Sequence, residues 1–264
     1  MWYFLLTFLL GASIGSFINV LIDRTILGEN WVSGKSHCDK CKKILAWYDM
    51  IPILSFLLYR GRSRCCKTRL TYRYPIVETL VGLLFVWWIV VGSWFFLLVS
   101  APLSMVQPGF WLITGVLFTI LALADLFYGV VLMPVVWIGS IFTLIYKVVL
   151  WYYGAHQLLD MQNAVLLGVA FYSFFWLLYK LTKGKGMADG DMYVAFYVGI
   201  LLGWPRGMVA MILSFVIGAS MGIFLIIAKL RTRKDSLPFI PFMVIATLIA
   251  LVWGTGIWQW LYPV

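Results

Sequence analysis

The chain has 264 residues, of which 63% are apolar, 18% aromatic and only 11% charged. Soluble domains carry about 25% charged residues, so this composition, with a mean hydropathy of +0.97, excludes an ordinary soluble globular protein. The formal charge of +10 is unevenly placed, because residues 23–74 hold 11 of the 20 Lys and Arg but only four of the ten Asp and Glu. The sequence therefore predicts an all-α polytopic membrane protein with one small basic domain outside the bilayer.

Uncharged runs predict about eight transmembrane helices, the sixth of them short. Residues 1–22 form the first, which we interpret as a retained span rather than a signal peptide because basic residues follow it and none precede it. Residues 23–74 are the basic, Cys-containing domain, and residues 75–264 hold seven further helices. Those runs are residues 76–98, 109–124, 130–150, 162–182, 192–203, 207–229 and 237–261.

The apolar stretch from Trp111 to Tyr153 must reverse direction. As one helix it would extend about 65 Å, roughly twice the ~30 Å hydrocarbon core of a bilayer. Gly129 and Pro134 break helical continuity. The reversal is therefore predicted between Asp125 and Pro134, which places Asp125 near a helix end at a membrane surface.

The placement of Lys and Arg predicts the orientation of the chain. With both termini outside, the cytoplasmic segments are 23–74, 125–130, 183–191 and 230–236, and they collect most of the basic residues. In the predicted outer loops the only basic residue is Arg206. We therefore expect the basic domain to lie in the cytoplasm.

Asp125 and Asp191 are candidate catalytic residues. Both fall at the predicted cytoplasmic boundary, on spans rather than in loops, and ionisable groups at that depth are functional candidates by default. The alternative is that they are helix caps, but Asp125 closes a helix, where a negative charge opposes the helix dipole. If the two helix ends pack together, the carboxylates can share one proton, one acting as base on water and the other as acid on a scissile carbonyl.

Two other features accompany this pair. The glycine-rich run Gly184–Asp191 allows the backbone to approach a peptide substrate closely. Glu78, just inside the second span, is either an acid of a first helical turn or part of a polar site.

The four cysteines, Cys38, Cys41, Cys65 and Cys66, all lie in the basic domain. A reducing cytoplasm disfavours disulfides, and a C-x-x-C pair followed by a second cluster indicates a zinc-ribbon-like site. Free structural thiols and redox chemistry are the alternatives. The second cluster is irregular, because two adjacent cysteines are not expected to reach one tetrahedral ion easily, and His37 is an alternative ligand.

Several motifs occur together in one order along the chain. They are Gly15-Ser16-Phe17-Ile18-Asn19-Val20 with Arg24, Cys38-x-x-Cys41, Trp47-Tyr48-Asp49-Met50-Ile51-Pro52, Arg60-Gly61-Arg62, Arg73-Tyr74-Pro75-Ile76-Val77-Glu78, Ala124-Asp125-Leu126 and Gly190-Asp191. In these motifs the chain resembles the type IV prepilin peptidases, also called leader peptidase/N-methyltransferases. The resemblance covers nearly the whole chain.

The resemblance implies that Asp125 and Asp191 are the active-site aspartates of a membrane aspartyl peptidase, and that Asp189 is a neighbour without a catalytic role. The chain departs from the family pattern in three places. The proline usually found a little after the first aspartate comes slightly later, at Pro134. Ala188 stands where the family's G-x-G-D motif begins with glycine, and Ser63 stands where the first cysteine of the second C-x-x-C pair is expected. The alternatives are that Cys65 is a substitute ligand, that the site holds three cysteines and a fourth ligand, or that it holds no metal.

The resemblance also implies partners and a second activity. The substrates would be prepilins or pseudopilins, which lose a basic leader at the cytoplasmic face of the bacterial inner membrane, and lipid but no nucleic acid is expected as a further partner. The new N-terminus would be methylated with S-adenosylmethionine, for which Gly61 and Arg62 are the candidate residues. A structural zinc ion would be held by the cysteines.

Two other classes of protein compete with this interpretation. An ion transporter would place its acidic residues near the bilayer midplane and often contains internal repeats, neither of which the sequence indicates. A membrane-anchored zinc-binding scaffold without peptidase activity would use the basic domain to dock partners or anionic lipid.

Overall fold

The computed structural model describes residues 2–30, 34–38, 40–92, 102–184, 187–230, 232 and 237–262. Within these residues the chain is helical, and its only β-structure is two isolated antiparallel bridges. The chain forms two compact units, Met1–Leu112 and Ile113–Val264. The predicted domain boundaries at residues 22 and 74 stay predictions.

The first unit contains two long apolar helices, α1 (Trp2–Ile26) and α3 (Arg73–Trp87), the latter continued by a π-helical turn at Trp88–Gly92. They pack closely because glycines of α1 face the backbone of α3. A Cβ added at Gly15 would lie 2.8 Å from Cα of Glu78, and one added at Gly11 would lie 2.8 Å from the carbonyl oxygen of Val81. The G-x-x-x-G spacing of α1 thus forms a helix-packing face.

A compact segment connects these two helices. It contains a 3₁₀ turn at Trp47–Met50, the short helix α2 (Leu54–Leu58) and the two bridges, His37 with Ile44 and Arg62 with Arg69. Where this segment meets the long helices, Arg73 at the start of α3 forms an ion pair with Asp23 of α1. The predicted Cys-containing domain between the first and second spans is therefore present.

The remaining helices are α4 (Leu103–Tyr128), α5 (Met133–Tyr152), α6 (Leu158–Thr182), α7 (Asp191–Leu202), α8 (Arg206–Ile227) and α9 (Ile240–Leu261). In the second unit, α7 is central. Its Gly199 meets Gly168 of α6 backbone to backbone, with an added Cβ only 2.6 Å from Cα of Gly168. Nine of the 12 residues of α7 are buried, so this short helix is enclosed by longer ones.

The described part of the chain has seven helices long and apolar enough to cross a membrane, with α7 as a shorter apolar helix between the fifth and the sixth of them. This confirms the predicted polytopic all-α fold and its short sixth helix. The predicted reversal is also confirmed, since α4 ends at Tyr128, Gly129 adopts φ +62°, and Pro134 lies in the first turn of α5. Several basic residues used for the orientation, namely Lys185, Arg231, Arg233 and Lys234, lie outside the described residues.

Candidate active site and cysteine cluster

Two aspartates that are 66 positions apart come together at one end of the second unit. Asp125 lies in the last turn of α4, and Asp191 is the first residue of α7. Both are buried, with 7% and 4% of their surface exposed, and they are near enough for their charges to interact. Asp189, by contrast, is exposed, and its role as a neighbour without a catalytic function stays a prediction.

A third helix end completes this site. The backbone N–H of Ile240, the first residue of α9, donates a hydrogen bond of 3.0 Å to Oδ2 of Asp125. The Asp191 carboxylate in turn accepts a hydrogen bond of 3.2 Å from the backbone N–H of Ala188. Each carboxylate thus lies next to a helix N-terminus, where peptide dipoles favour negative charge. This resolves the unfavourable position of Asp125 at the end of its own helix.

Ile240 is not among the site residues predicted from the sequence. A signal for it was available, because Pro241 lies in the first turn of α9 and proline at that position marks a helix start. What the sequence lacked was any indication that this helix start faces Asp125.

Gly190 explains how the two aspartate segments approach each other. It is buried and has ordinary helical dihedral angles, so its conformation alone would accept alanine. A Cβ at this position, however, would lie 2.1 Å from Cγ2 of Val131 and 2.7 Å from its Cβ. Val131 belongs to the loop that follows Asp125, so the absence of a side chain at Gly190 lets this loop and the start of α7 pack together.

Tyr197 fixes the position of α7 relative to α4 and α5. Its ring is fully buried and stacks on Phe118 of α4, with ring centroids 4.6 Å apart and an interplanar angle of 3°. On the other side it fills the space left by Gly139 of α5, where a Cβ would lie 2.6 Å from its Cζ. Because Tyr197 follows Asp191 by six residues on the same helix, this packing also sets the position of the carboxylate.

The cysteines lie in two equivalent turns, one closed by the His37–Ile44 bridge and the other by the Arg62–Arg69 bridge. In the first, Cys38 accepts a backbone hydrogen bond from Lys42 and donates one to Lys43. In the second, Ser63 makes the same two bonds, to Lys67 and Thr68. Ser63 therefore occupies the position of Cys38, and Cys66 that of Cys41.

The four thiols converge although Ser63 has replaced one expected cysteine. All four sulfur atoms lie within 4.8 Å of one another, with Cys38 and Cys66 3.6 Å apart and Cys41 and Cys65 3.1 Å apart. Tetrahedral coordination with Zn–S bonds of about 2.3 Å requires sulfur separations of about 3.8 Å. The expectation that adjacent cysteines reach one ion with difficulty is wrong here, because the turn directs both Cys65 and Cys66 toward the thiols of the first turn. His37 is not part of this group and contacts Lys35 and Lys42 instead.

The thiols also differ in acidity. Burial raises the pKa of the Cys38 thiol, but hydrogen bonds from the backbone N–H groups of Cys41 and Lys40 and from the Ser63 hydroxyl outweigh it, and the pKa falls to about 6. The hydrogen bond with Cys65 raises the pKa of the Cys41 thiol to about 12. The hydrogen bonds around Cys38 therefore favour its thiolate, and a divalent cation would favour the thiolate form of all its cysteine ligands on binding.

A cavity of about 490 Å³ lies beside the cysteine cluster in the first unit. Arg62 lines this cavity, whereas Gly61 lies behind its wall. Gly61 has φ +68°, and an added Cβ would be 3.0 Å from Cζ of Phe56, whose ring is part of the wall. Glu78 also lines the cavity and accepts a 2.7 Å hydrogen bond from the backbone N–H of Ile53, which favours its interpretation as part of a polar site.

Together, these features define a polytopic helical membrane protein that combines a buried carboxylate pair at helix ends with a basic segment carrying four convergent thiols. Residues 9–91, which lie in the first unit, match the family model of the bacterial peptidase A24 N-terminal domain. No solved structure matches the chain.

Curated relatives match almost the full length. A prepilin leader peptidase/N-methyltransferase of Aeromonas hydrophila is 31% identical over 98% of this chain and 93% of its own. Proteins of the same name from Pseudomonas aeruginosa and Neisseria gonorrhoeae are 29% and 31% identical, over 97% and 95% of this chain and 92% and 90% of theirs. The chain belongs to the prepilin leader peptidase/N-methyltransferase family, which confirms the resemblance seen in its motifs.

Proposed function

We propose that the protein is an aspartyl endopeptidase of the bacterial inner membrane, which removes the basic leader from type IV prepilins or pseudopilins. The observation that carries this proposal is the convergence of Asp125 and Asp191, two buried carboxylates from distant parts of the chain, at the ends of α4, α7 and α9. The names of the relatives supply the substrate class.

The carboxylate pair is suited to peptide hydrolysis. One carboxylate, in its ionised form, removes a proton from a water molecule, whose oxygen then bonds to the scissile carbonyl carbon. The other, in its protonated form, donates its proton to the carbonyl oxygen. When the tetrahedral intermediate collapses, the C–N bond breaks and the leaving nitrogen takes up a proton. Two neighbouring carboxylates that share one proton can supply both forms at once.

The location of the pair suits the substrate. Helix ends at a membrane boundary can receive a peptide bond between a polar leader and an apolar helix embedded in the bilayer. We propose that this boundary is the cytoplasmic one, because the predicted cytoplasmic segments collect most of the Lys and Arg of the loops.

The test compares three conservative variants in a cleavage assay with a purified prepilin-like substrate. Asp125→Asn and Asp191→Asn are expected to lower the cleavage rate by about three orders of magnitude or more, with unchanged thermal unfolding. Asp189→Asn is the matched control, because it removes the same charge two positions from Asp191, and it should retain most of the activity. Normal cleavage by Asp191→Asn would refute the mechanism and favour the scaffold interpretation.

We propose further that Cys38, Cys41, Cys65 and Cys66 hold a structural zinc ion that joins the two cysteine turns. The support is the convergence of the four sulfur atoms, which fits four-thiolate coordination. Cys65→Ser should lower the zinc content of the purified protein. Adding Ser63→Cys to that variant restores two regular C-x-x-C turns and should restore the zinc, whereas zinc content that is independent of both changes would refute the assignment.

Finally, we propose that the protein also methylates the new N-terminal amine, as the names of its relatives indicate for those proteins. S-adenosylmethionine is the donor that this activity implies, and Gly61 and Arg62 are the candidate residues from the sequence. Product masses distinguish the two activities, because cleavage removes the leader and methylation adds one methyl mass to the product.

A further inference from the structure

We infer that the cavity of the first unit, enclosed by α1, the start of α3 and the cysteine-containing segment, binds S-adenosylmethionine through Arg62 and Glu78. This inference rests on the proposed methylation activity. The cavity volume of about 490 Å³ lies within the range of small-molecule sites, about 300–1,000 Å³. All of its lining residues belong to the first unit, so it is a site separate from the carboxylate pair.

The walls match the parts of this ligand. Aromatic rings, those of Phe17, Phe56 and Tyr59, can pack against an adenine ring, and they also favour a neighbouring cation. The guanidinium of Arg62 can bind the carboxylate of the methionine moiety through paired hydrogen bonds. Among the described residues Arg62 forms no ion pair, whereas Arg64, another lining residue, is already paired with Asp49.

Glu78 provides the second observation that points to a ligand. Its side chain is buried, with 7% of the residue exposed, although it lies on an apolar helix. The donors that compensate it are neutral, namely the backbone N–H of Ile53 and the hydroxyl of Ser16. Buried charges are normally paired with an opposite charge, and the described residues give this carboxylate no cationic partner. A ligand with a fixed positive charge, such as a sulfonium, would supply one.

The position of the cavity suits the methyl acceptor as well. Its walls include Ser13, Ser16 and Asn19 of the membrane helix α1, so it extends from the basic segment along the side of a membrane span. The N-terminus of a helix embedded in the bilayer can approach such a site. The bound donor would supply a methyl group to the amine nitrogen, which releases one proton, while the electron pair of the broken C–S bond stays on sulfur.

The experiment measures binding directly, by titration calorimetry of the full-length protein in detergent with S-adenosylmethionine. Arg62→Gln is expected to weaken binding by about tenfold or more, the usual effect of losing a charged hydrogen bond. Arg69→Gln is the matched control, because Arg69 pairs with Arg62 across the same bridge but does not line the cavity. It should change binding less than about twofold.

A second comparison tests the role of Glu78. Glu78→Gln keeps an acceptor for the N–H of Ile53 but removes the charge. It should therefore weaken binding of the cationic donor more than binding of S-adenosylhomocysteine, whose sulfur is neutral. Equal weakening of both ligands would overturn the assignment of Glu78 to the sulfonium.

The location of the ligand can also be mapped by ultraviolet crosslinking of radiolabelled S-adenosylmethionine, followed by peptide analysis. Label in residues 13–24 or 49–78 is expected, and label confined to residues 113–264 would overturn the inference. Equal effects of Arg62→Gln and Arg69→Gln would do the same. Wild-type protein that cleaves a prepilin-like substrate but binds no donor would refute the cavity assignment alone, whereas donor binding without cleavage would refute the peptidase proposal alone.

Discussion

The contact between Gly190 and Val131 gives the sharpest test of how the two aspartates are positioned. In Gly190→Ala the new Cβ would lie 2.1 Å from Cγ2 of Val131, against at least 3.4 Å for an ordinary contact. Rotation of the Val131 side chain cannot remove the conflict, because its Cβ lies only 2.7 Å away. The backbone must therefore move by about 0.7 Å, and overpacking of this kind costs about 1–3 kcal/mol.

That movement separates the loop after Asp125 from the start of α7, which begins with Asp191. Misplacement of catalytic groups by about 1 Å can cost about 100-fold in rate, so Gly190→Ala is expected to lower the initial cleavage rate by one to two orders of magnitude. The measurement is cleavage of a prepilin-like substrate by the detergent-purified protein, with thermal unfolding recorded in parallel.

The controls separate this effect from alanine substitution in general. At Gly256 in α9 a Cβ would meet nothing within 4 Å, so Gly256→Ala should leave the rate unchanged. Combining Gly190→Ala with Val131→Ala removes the two methyl contacts but keeps the close Cβ, and should restore activity in part. Combining it with Val131→Gly removes all three contacts and should restore more. Full activity of Gly190→Ala by itself, or a double variant no better than the single one, would refute the reasoning.

Three further predictions concern the same two sites. The cleavage rate should follow a bell-shaped pH profile, because one carboxylate must be protonated and the other ionised; a rate that only rises with pH would indicate a single base. If the proposed zinc ion is removed by a chelator, donor binding should be lost, since Cys38 and Ser63 line the cavity, while cleavage changes less than about twofold; parallel loss of both activities would contradict this. Gly61→Ala should push Phe56 into the cavity and weaken donor binding by calorimetry, with cleavage retained; unchanged donor binding would show that Phe56 adapts.

The cysteine cluster shows where motif analysis was sufficient and where it was not. The alignment of Ser63 with a missing cysteine is visible in the sequence, and the two equivalent turns support it. The approach of Cys65 to Cys41 depends on the path of the turn, which spacing alone does not define. Adjacent residues usually point apart, so only the folded turn could show both thiols directed toward Cys38 and Cys41.

The same contrast holds for the carboxylate pair. From the sequence alone came the polytopic all-α fold, the short sixth helix, the reversal after Asp125 and the choice of Asp125 and Asp191 as candidate catalytic residues. These follow from the hydrophobic length that a bilayer requires, from helix-breaking residues and from motifs, all of which are local along the chain.

The tertiary structure decided what lies around those residues. The N–H of Ile240 at Asp125, the fit of Gly190 against Val131 and the packing of Tyr197 between Phe118 and Gly139 join segments far apart in sequence. Nothing in the local composition of either partner specifies such a contact. These contacts arise because close packing allows α7 only one axial position and one rotation about its axis relative to the neighbouring helices. In that arrangement Asp191 lies close to Asp125.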